Sequence, residues 1–173
     1  MDGHILIIGH TLCGKTTLAK RLASEYKKKR ITSVVLDPLS DPEWPTNIIF
    51  KTSEAFFTYA KDSNKCRSCA LFVDESGLAL NKFDQDLLWL TTTSRHHGHR
   101  AHIIAQRAEM VNKTIRSQCL TLICFGLNPK DAREYALDWN CEEVFHNAPK
   151  LQRYQYMVIS RYSIPTYHTL TKN

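Results

Sequence analysis

Eight consecutive residues near the N-terminus, Gly9-His10-Thr11-Leu12-Cys13-Gly14-Lys15-Thr16, match G-x-x-x-x-G-K-[ST] at every fixed position. Before them runs Ile5-Leu6-Ile7-Ile8, a short, continuously apolar stretch of the kind that forms a buried parallel strand. After them, Leu18, Leu22 and Tyr26 recur at helical spacing, which predicts a helix over 16–29. A strand, a glycine-rich loop and a helix in this order form a phosphate cradle. The glycines let the backbone turn its N–H groups inward, and the helix adds its positive N-terminal end. The pattern therefore assigns Gly9, His10, Thr11, Leu12, Cys13, Gly14, Lys15, Thr16 and Thr17 to a nucleotide site. Lys15 is expected to reach the β- and γ-phosphates and Thr16 to hold Mg²⁺. Cys13 reads as a filler whose backbone matters, not as a nucleophile.

The rest of the chain alternates in the same way. Strands are expected at 33–37, 70–73, 102–105 and 120–125, with a last one at 154–159. Helices are expected at 53–62, with Ser53 as N-cap, and at 83–95, 110–118 and 130–139. Residues 37–45 carry three prolines and read as a loop. Strands alternating with helices predict an α/β fold, a mainly parallel sheet covered on both faces. The expected division is a core over 1–150, then a final strand and a basic, aromatic tail over 151–173, of which 161–173 is expected to be flexible or ordered by a partner.

Two further strand ends are polar. The run Leu71-Phe72-Val73 closes on Asp74-Glu75. Asp74 suits the Mg²⁺ shell, and Glu75 suits a general base, because water attacking phosphorus needs a proton acceptor. The run His102-Ile103-Ile104-Ala105 closes on Gln106, which could hydrogen-bond both the attacking water and the γ-phosphate.

Together, GHTLCGKT, VVLDP (with Asp37-Pro38), LFVDES and SRHHGHRAHIIAQR resemble the FtsK–HerA class of DNA-pumping P-loop ATPases. Within that class the chain looks most like viral genome-packaging ATPases and the Zot-like ATPases of filamentous phages. The resemblance runs from about residue 5 to 125. It implies an additional-strand, RecA-like fold in which the Gln106 strand lies between the phosphate-loop strand and the Asp74-Glu75 strand. It also implies ATP and Mg²⁺ as cofactors, a pentameric or hexameric homo-oligomeric ring, and double-stranded DNA in the channel. A capsid portal or vertex protein is an implied partner. A ring needs a cation donated in trans to the transition state, a role preferentially filled by arginine. Arg116 is the first candidate, since its segment faces the neighbour in family rings, and Arg95 the second. Arg100 and Arg107 complete the set.

Composition narrows the alternatives. The longest apolar run is far short of the roughly 20 residues that span a bilayer. No signal peptide is visible, so direct membrane insertion is not expected. The expected location is the cytoplasm (the host's, if viral), with association to a virion allowed. The net charge of +6 is mild. It is uneven, however: no acidic residue follows Glu143, while Lys150, Arg153, Arg161 and Lys172 remain, interleaved with Tyr154, Tyr156, Tyr162 and Tyr167. That mixture suits a nucleic-acid surface, a docking tail or, where Tyr154, Tyr156 and Val158 alternate, a final strand. Cys66 and Cys69 form a lone C-x-x-C without a second pair, which reads as a loop. His96, His97 and His99 have no cysteine or acid close in sequence to complete a zinc site. The expected function is that of a DNA-packaging ATPase. The alternatives are a Zot-like export ATPase, a helicase-like motor and, from another class, a small P-loop nucleoside kinase.

Overall fold

The computed structural model describes residues 3–74 and 85–171. The chain runs β1 (His4–Ile8), α1 (Lys15–Lys28), β2 (Ser33–Leu36), β3 (Ile49–Phe50), α2 (Ser53–Lys61), β4 (Ala70–Val73) and α3 (Gln85–Thr92). It continues through β5 (Arg100–Ala105), α4 (Lys113–Gln118), β6 (Cys119–Cys124), α5 (Pro129–Trp139), α6 (Glu142–Asn147), β7 (Gln155–Ser160) and β8 (Thr166–Thr169). A 3₁₀ turn at Ser94–His97 leads towards β5.

The strands make one eight-stranded sheet in the order β3-β2-β4-β5-β1-β6-β7-β8. Pairings from β3 across to β6 are parallel, and those of β6 with β7 and β7 with β8 are antiparallel. The fold is therefore the expected α/β class. β5 lies between β1 and β4, as the resemblance implied.

The apolar runs are continuous because both faces are covered. Leu6, Ile8, Val34, Leu36, Leu71, Val73, Ile103, Leu122 and Cys124 join one core, packed with Phe56, Phe57, Leu87, Leu90, Ile115 and Tyr135 from helices α2 to α5. The alternating residues Ile5, Ile7, Val35, Phe72, Ile104 and Ile123 face a second core, closed by Leu18, Ala19 and Ala23 of α1 and by Trp44. Each Val, Leu, Ile or Phe among them contributes about 1.5–3 kcal/mol on burial. Asp37 organises the proline-rich loop: its carboxylate accepts from Leu39 N–H (2.9 Å), Asp41 N–H (2.8 Å) and Trp44 Nε1–H (3.2 Å). Asn128 caps α5 by accepting from Asp131 N–H, with Pro129 at the first helical position.

Four details differ from the sequence reading. Thr52, not Ser53, caps α2. The two-residue β3 and the short α6 were not expected; both are too short to carry a periodic signal. The segment expected as a tail is built into the sheet instead. β8 pairs with β7, and Leu170 is 6% exposed. All four β8 residues are exposed, so no alternation marks them, and the pairing rests on backbone groups at the edge of β7. Among the described residues, no helix is long and apolar enough to cross a membrane.

Two histidines are buried inside the sheet. His102 stacks on Phe72 with ring centroids 4.2 Å apart, and its Nε2 lies 3.1 Å from the Tyr26 hydroxyl. His4 accepts the Ala101 N–H at Nδ1, 3.0 Å away. Burial pushes the His102 pKa down to about 3. Burial, then the Arg95 charge, pushes that of His4 down to about 4. The fold thus favours the neutral rings. Their contribution is complete above the unfolded-state value near pH 6.5 and is lost as pH falls from there towards the folded values. Each costs up to about 1.4 kcal/mol per pH unit in that window. Urea midpoints should therefore fall steeply between about pH 6.5 and 4, and His102→Phe should flatten the slope by up to about one proton. An equal slope in the variant would remove His102 from the account.

Candidate nucleotide site

Because β4, β5 and β1 are parallel neighbours, their C-terminal ends share one edge. Asp74, Gln106 and the loop 9–14 therefore meet, at the edge where open α/β sheets bind ligands.

The loop needs its glycines. Gly9 has φ +151° and Gly14 φ +113°. A Cβ on Gly9 would lie 2.5 Å from Cβ of Phe125, and one on Gly14 2.9 Å from both Leu170 and Tyr154 side-chain atoms. Leu12 adopts φ +62° with its side chain exposed, a conformation that costs an L-residue about 1–2 kcal/mol. Helix α1 begins with no side-chain cap and no acid in its first turn. Its N-terminal N–H groups are thus left to an anion.

Two hydrogen bonds tie the strand ends to the loop. The Thr16 hydroxyl donates to Asp74 Oδ2 at 2.9 Å, and the Thr11 hydroxyl donates to Gln106 Oε1 at 3.2 Å. The buried Lys15 ammonium donates to the carbonyls of Gly9 (2.9 Å) and His10 (2.7 Å), folded back over the loop. Burial raises the Cys13 thiol pKa against the pull of Lys15, which favours the protonated thiol. A paired hydroxyl and carboxylate are hard oxygen donors of the kind Mg²⁺ takes, and Lys15 has only to leave two carbonyls to meet a phosphate. The residues fit a Mg²⁺-nucleotide. Glu75, the expected base, lies outside the described residues.

The cleft over this edge, about 240 Å³, is also lined by Thr17, Arg153 and Tyr154. The last two belong to the 151–173 segment expected to form a final strand and a tail. Arg153 Nε donates to Leu12 O at 3.1 Å, and its guanidinium lies 4.8 Å from the Tyr154 ring centre. The Tyr154 N–H donates to Cys13 O at 3.2 Å, and its carbonyl accepts from Leu170 N–H at 2.9 Å. The C-terminal hairpin is thereby latched to the phosphate loop. The basic and aromatic pairing was visible in the sequence; its destination, some 140 residues away, follows only from the topology.

The arginines separate cleanly. Arg95 is exposed on the 3₁₀ turn before β5 and borders a cleft with Arg100 and His4 at the opposite edge of the sheet. Arg107 is exposed and pairs with Glu109 at 3.5 Å. Arg116, the first candidate for a trans finger, must be corrected. It is 2% exposed, ion-paired to Glu134 (2.6 Å) and Asp138 (3.1 Å), with its guanidinium 5.3 Å from the Tyr135 ring. Within the chain it locks α4 to α5, with its guanidinium turned inward. Sequence position gave its place before β6 but not the direction of its side chain.

No family model matches the chain, and no curated protein is similar to it in sequence. Solved structures are similar. The genome-packaging NTPase of Sulfolobus turreted icosahedral virus 2, in complex with ATP-γS, superposes with a TM-score of 0.82 at 17% identity, covering 97% of each chain. VirB4 of Thermoanaerobacter pseudethanolicus gives 0.74 at 10% identity, covering 98% of this chain and 90% of that one. The N-terminal domain of zonular occludens toxin from Neisseria meningitidis gives 0.61 at 13%, covering 99% and 96%. The chain has the P-loop fold these proteins share.

Because Arg116 is buried against two partly exposed carboxylates, its removal should act on stability. Arg116→Ala should cost about 2–4 kcal/mol in urea unfolding, below the upper range for a fully buried pair. A variant as stable as the parent would return Arg116 to consideration as a finger.

Proposed function

We propose that this chain is a Mg²⁺-dependent ATPase that works as a homo-oligomeric ring, pentameric or hexameric, and drives double-stranded DNA into a preformed capsid. The observation that carries this reading is the pairing of both polar strand ends with the phosphate loop: Thr16 with Asp74, and Thr11 with Gln106. In this reading Thr16 and Asp74 hold the metal shell, and Lys15 exchanges the Gly9 and His10 carbonyls for phosphate oxygens. Bound Mg²⁺ supplies charge neutralisation at the β- and γ-phosphates. Glu75, next in chain after Asp74, accepts the proton of the attacking water. Gln106 hydrogen-bonds that water and the γ-phosphate. Arg95, exposed and away from its own loop, is the arginine suited to a neighbour's site.

The packaging role is supported by similarity over 97% of both chains to a viral packaging NTPase. The Zot-like alternative has weaker support, at a TM-score of 0.61; co-purification with a membrane protein would favour it. A nucleoside kinase has no evident use for Gln106 beside the loop. The expected partners are double-stranded DNA and a capsid portal or vertex protein, without membrane insertion. The expected location is the host cytoplasm or the virion.

The test is ATP hydrolysis with and without double-stranded DNA. Stimulation should be nearly independent of sequence and fall steeply with salt, because grip acts through phosphates. Glu75→Gln should lower kcat by about 10²–10⁴ while nucleotide binding persists. Wild-type turnover in that variant, or phosphate transfer to nucleosides without DNA stimulation, overturns the reading.

A further inference from the structure

The C-x-x-C that the sequence left as a loop meets a histidine from a distant segment. Cys66, Cys69 and His99 are 1%, 2% and 4% exposed. One donor atom from each lies within 4.8 Å of the others. The loops are held together by backbone: Ser68 N–H donates to His97 O (3.1 Å) and Arg100 N–H to Cys69 O (3.0 Å). A Cβ on Gly98 (φ +76°) would lie 2.5 Å from Ser68 Oγ, so only glycine allows this approach. His99 Nδ1 accepts the Cys69 N–H at 3.1 Å. His99 Nδ1 is therefore turned towards the loop that carries both thiols, where an ion would take the place of the Cys69 N–H that it accepts. A further imidazole, His97, stacks on His99 with centroids 6.0 Å apart.

We propose that Cys66, Cys69 and His99 bind a zinc ion, with His97 or water in the fourth position. Two thiolates and an imidazole are the soft and borderline donors that select zinc, at bond lengths of about 2.3 and 2.0 Å. Within 4.8 Å of one another, the three donors border a common space, and the two thiols, which are in contact, have to separate to surround one ion. Isolated in sequence, neither the cysteine pair nor the histidine cluster completes such a site; β4 and β5, adjacent and parallel, bring the two together. The ion would clamp the N-terminal ends of the strands whose other ends carry Asp74 and Gln106, and would fix the turn that carries Arg95. The thiols are also in contact, with Cα atoms 6.1 Å apart, a spacing a disulfide shares, so the experiment has to separate the two.

The full-length protein, purified under reducing conditions, should carry about one zinc per chain by plasma mass spectrometry. Cobalt replacement should give thiolate-to-metal charge transfer with tetrahedral d–d bands. An oxygen site at Thr16 and Asp74 produces no thiolate band. Cys66→Ser with Cys69→Ser should abolish the band, and His99→Ala should weaken metal binding at least about tenfold. If the variants misfold, the spectrum of the parent protein still decides. Parent protein free of metal, with Cys66 and Cys69 either disulfide-bonded or both alkylated freely, overturns the proposal. None of these readouts depends on ATP hydrolysis.

Discussion

The hydrogen bond from Thr16 to Asp74 joins the first turn of α1 to the tip of β4, across a sheet in which β5 intervenes. It requires the loop after β1 to turn sharply enough to put Thr16 at the start of a helix, and β4 to place Asp74 within reach although β4 and β1 do not touch. Val73 pairs with Ile103, and Ile8 pairs with Ala105, so β4 ends two residues below the level of β1. β5 thus runs two residues past the level of β4 and delivers Gln106 beside Thr11. Inserting or deleting one residue in β5 would reverse its faces, moving Ile103 and Ala105 out of one core and Ile104 out of the other.

Around this edge the C-terminal hairpin acts as a strap. A strand whose residues are all exposed contributes little by burial. What β8 contributes is position, because it sets Leu170 against the loop and holds Tyr154 where its N–H meets Cys13 O. Gly14 is required not only by its positive φ but because Leu170 and Tyr154 occupy the space a side chain would take. A glycine usually explained by the ligand is here explained equally by the protein that packs behind it.

The sheet and the phosphate loop were legible because their signals are local. Continuous apolar runs mark strands buried on both faces, and a fixed glycine spacing marks a backbone bend. The polar residues Asp74 and Gln106 were legible for a related reason: a carboxylate or amide directly after four apolar residues stands at a strand end. What the sequence withheld is direction and distance. Arg116 was located correctly in the chain, yet its side chain turns inward to Glu134 and Asp138. Tyr154 and Arg153 were seen as basic and aromatic, yet their partners lie near residue 12. β8 was missed because edge pairing through backbone groups leaves no hydrophobic pattern. The cysteines and His99 were each set aside for lack of neighbours that only the β4–β5 pairing provides.

That pairing gives the two edges of the sheet a common mechanical element. β4 has four residues and β5 six, both buried and parallel. Strands this short, packed on both faces, move as rigid bodies because close-packed cores do not deform continuously. A shift of Gln106 or Asp74 at the nucleotide edge would, on the proposed reading, be carried along these strands towards Arg100 and the 3₁₀ turn bearing Arg95. On the proposed reading, the phosphate loop and the surface offered to a neighbouring subunit lie at opposite ends of the same two strands. Pinning the far end through the proposed metal-linked loop pair would tie that surface to the nucleotide edge. On that reading, the β4–β5 pair is the element through which a change at one phosphate would reach a neighbouring subunit.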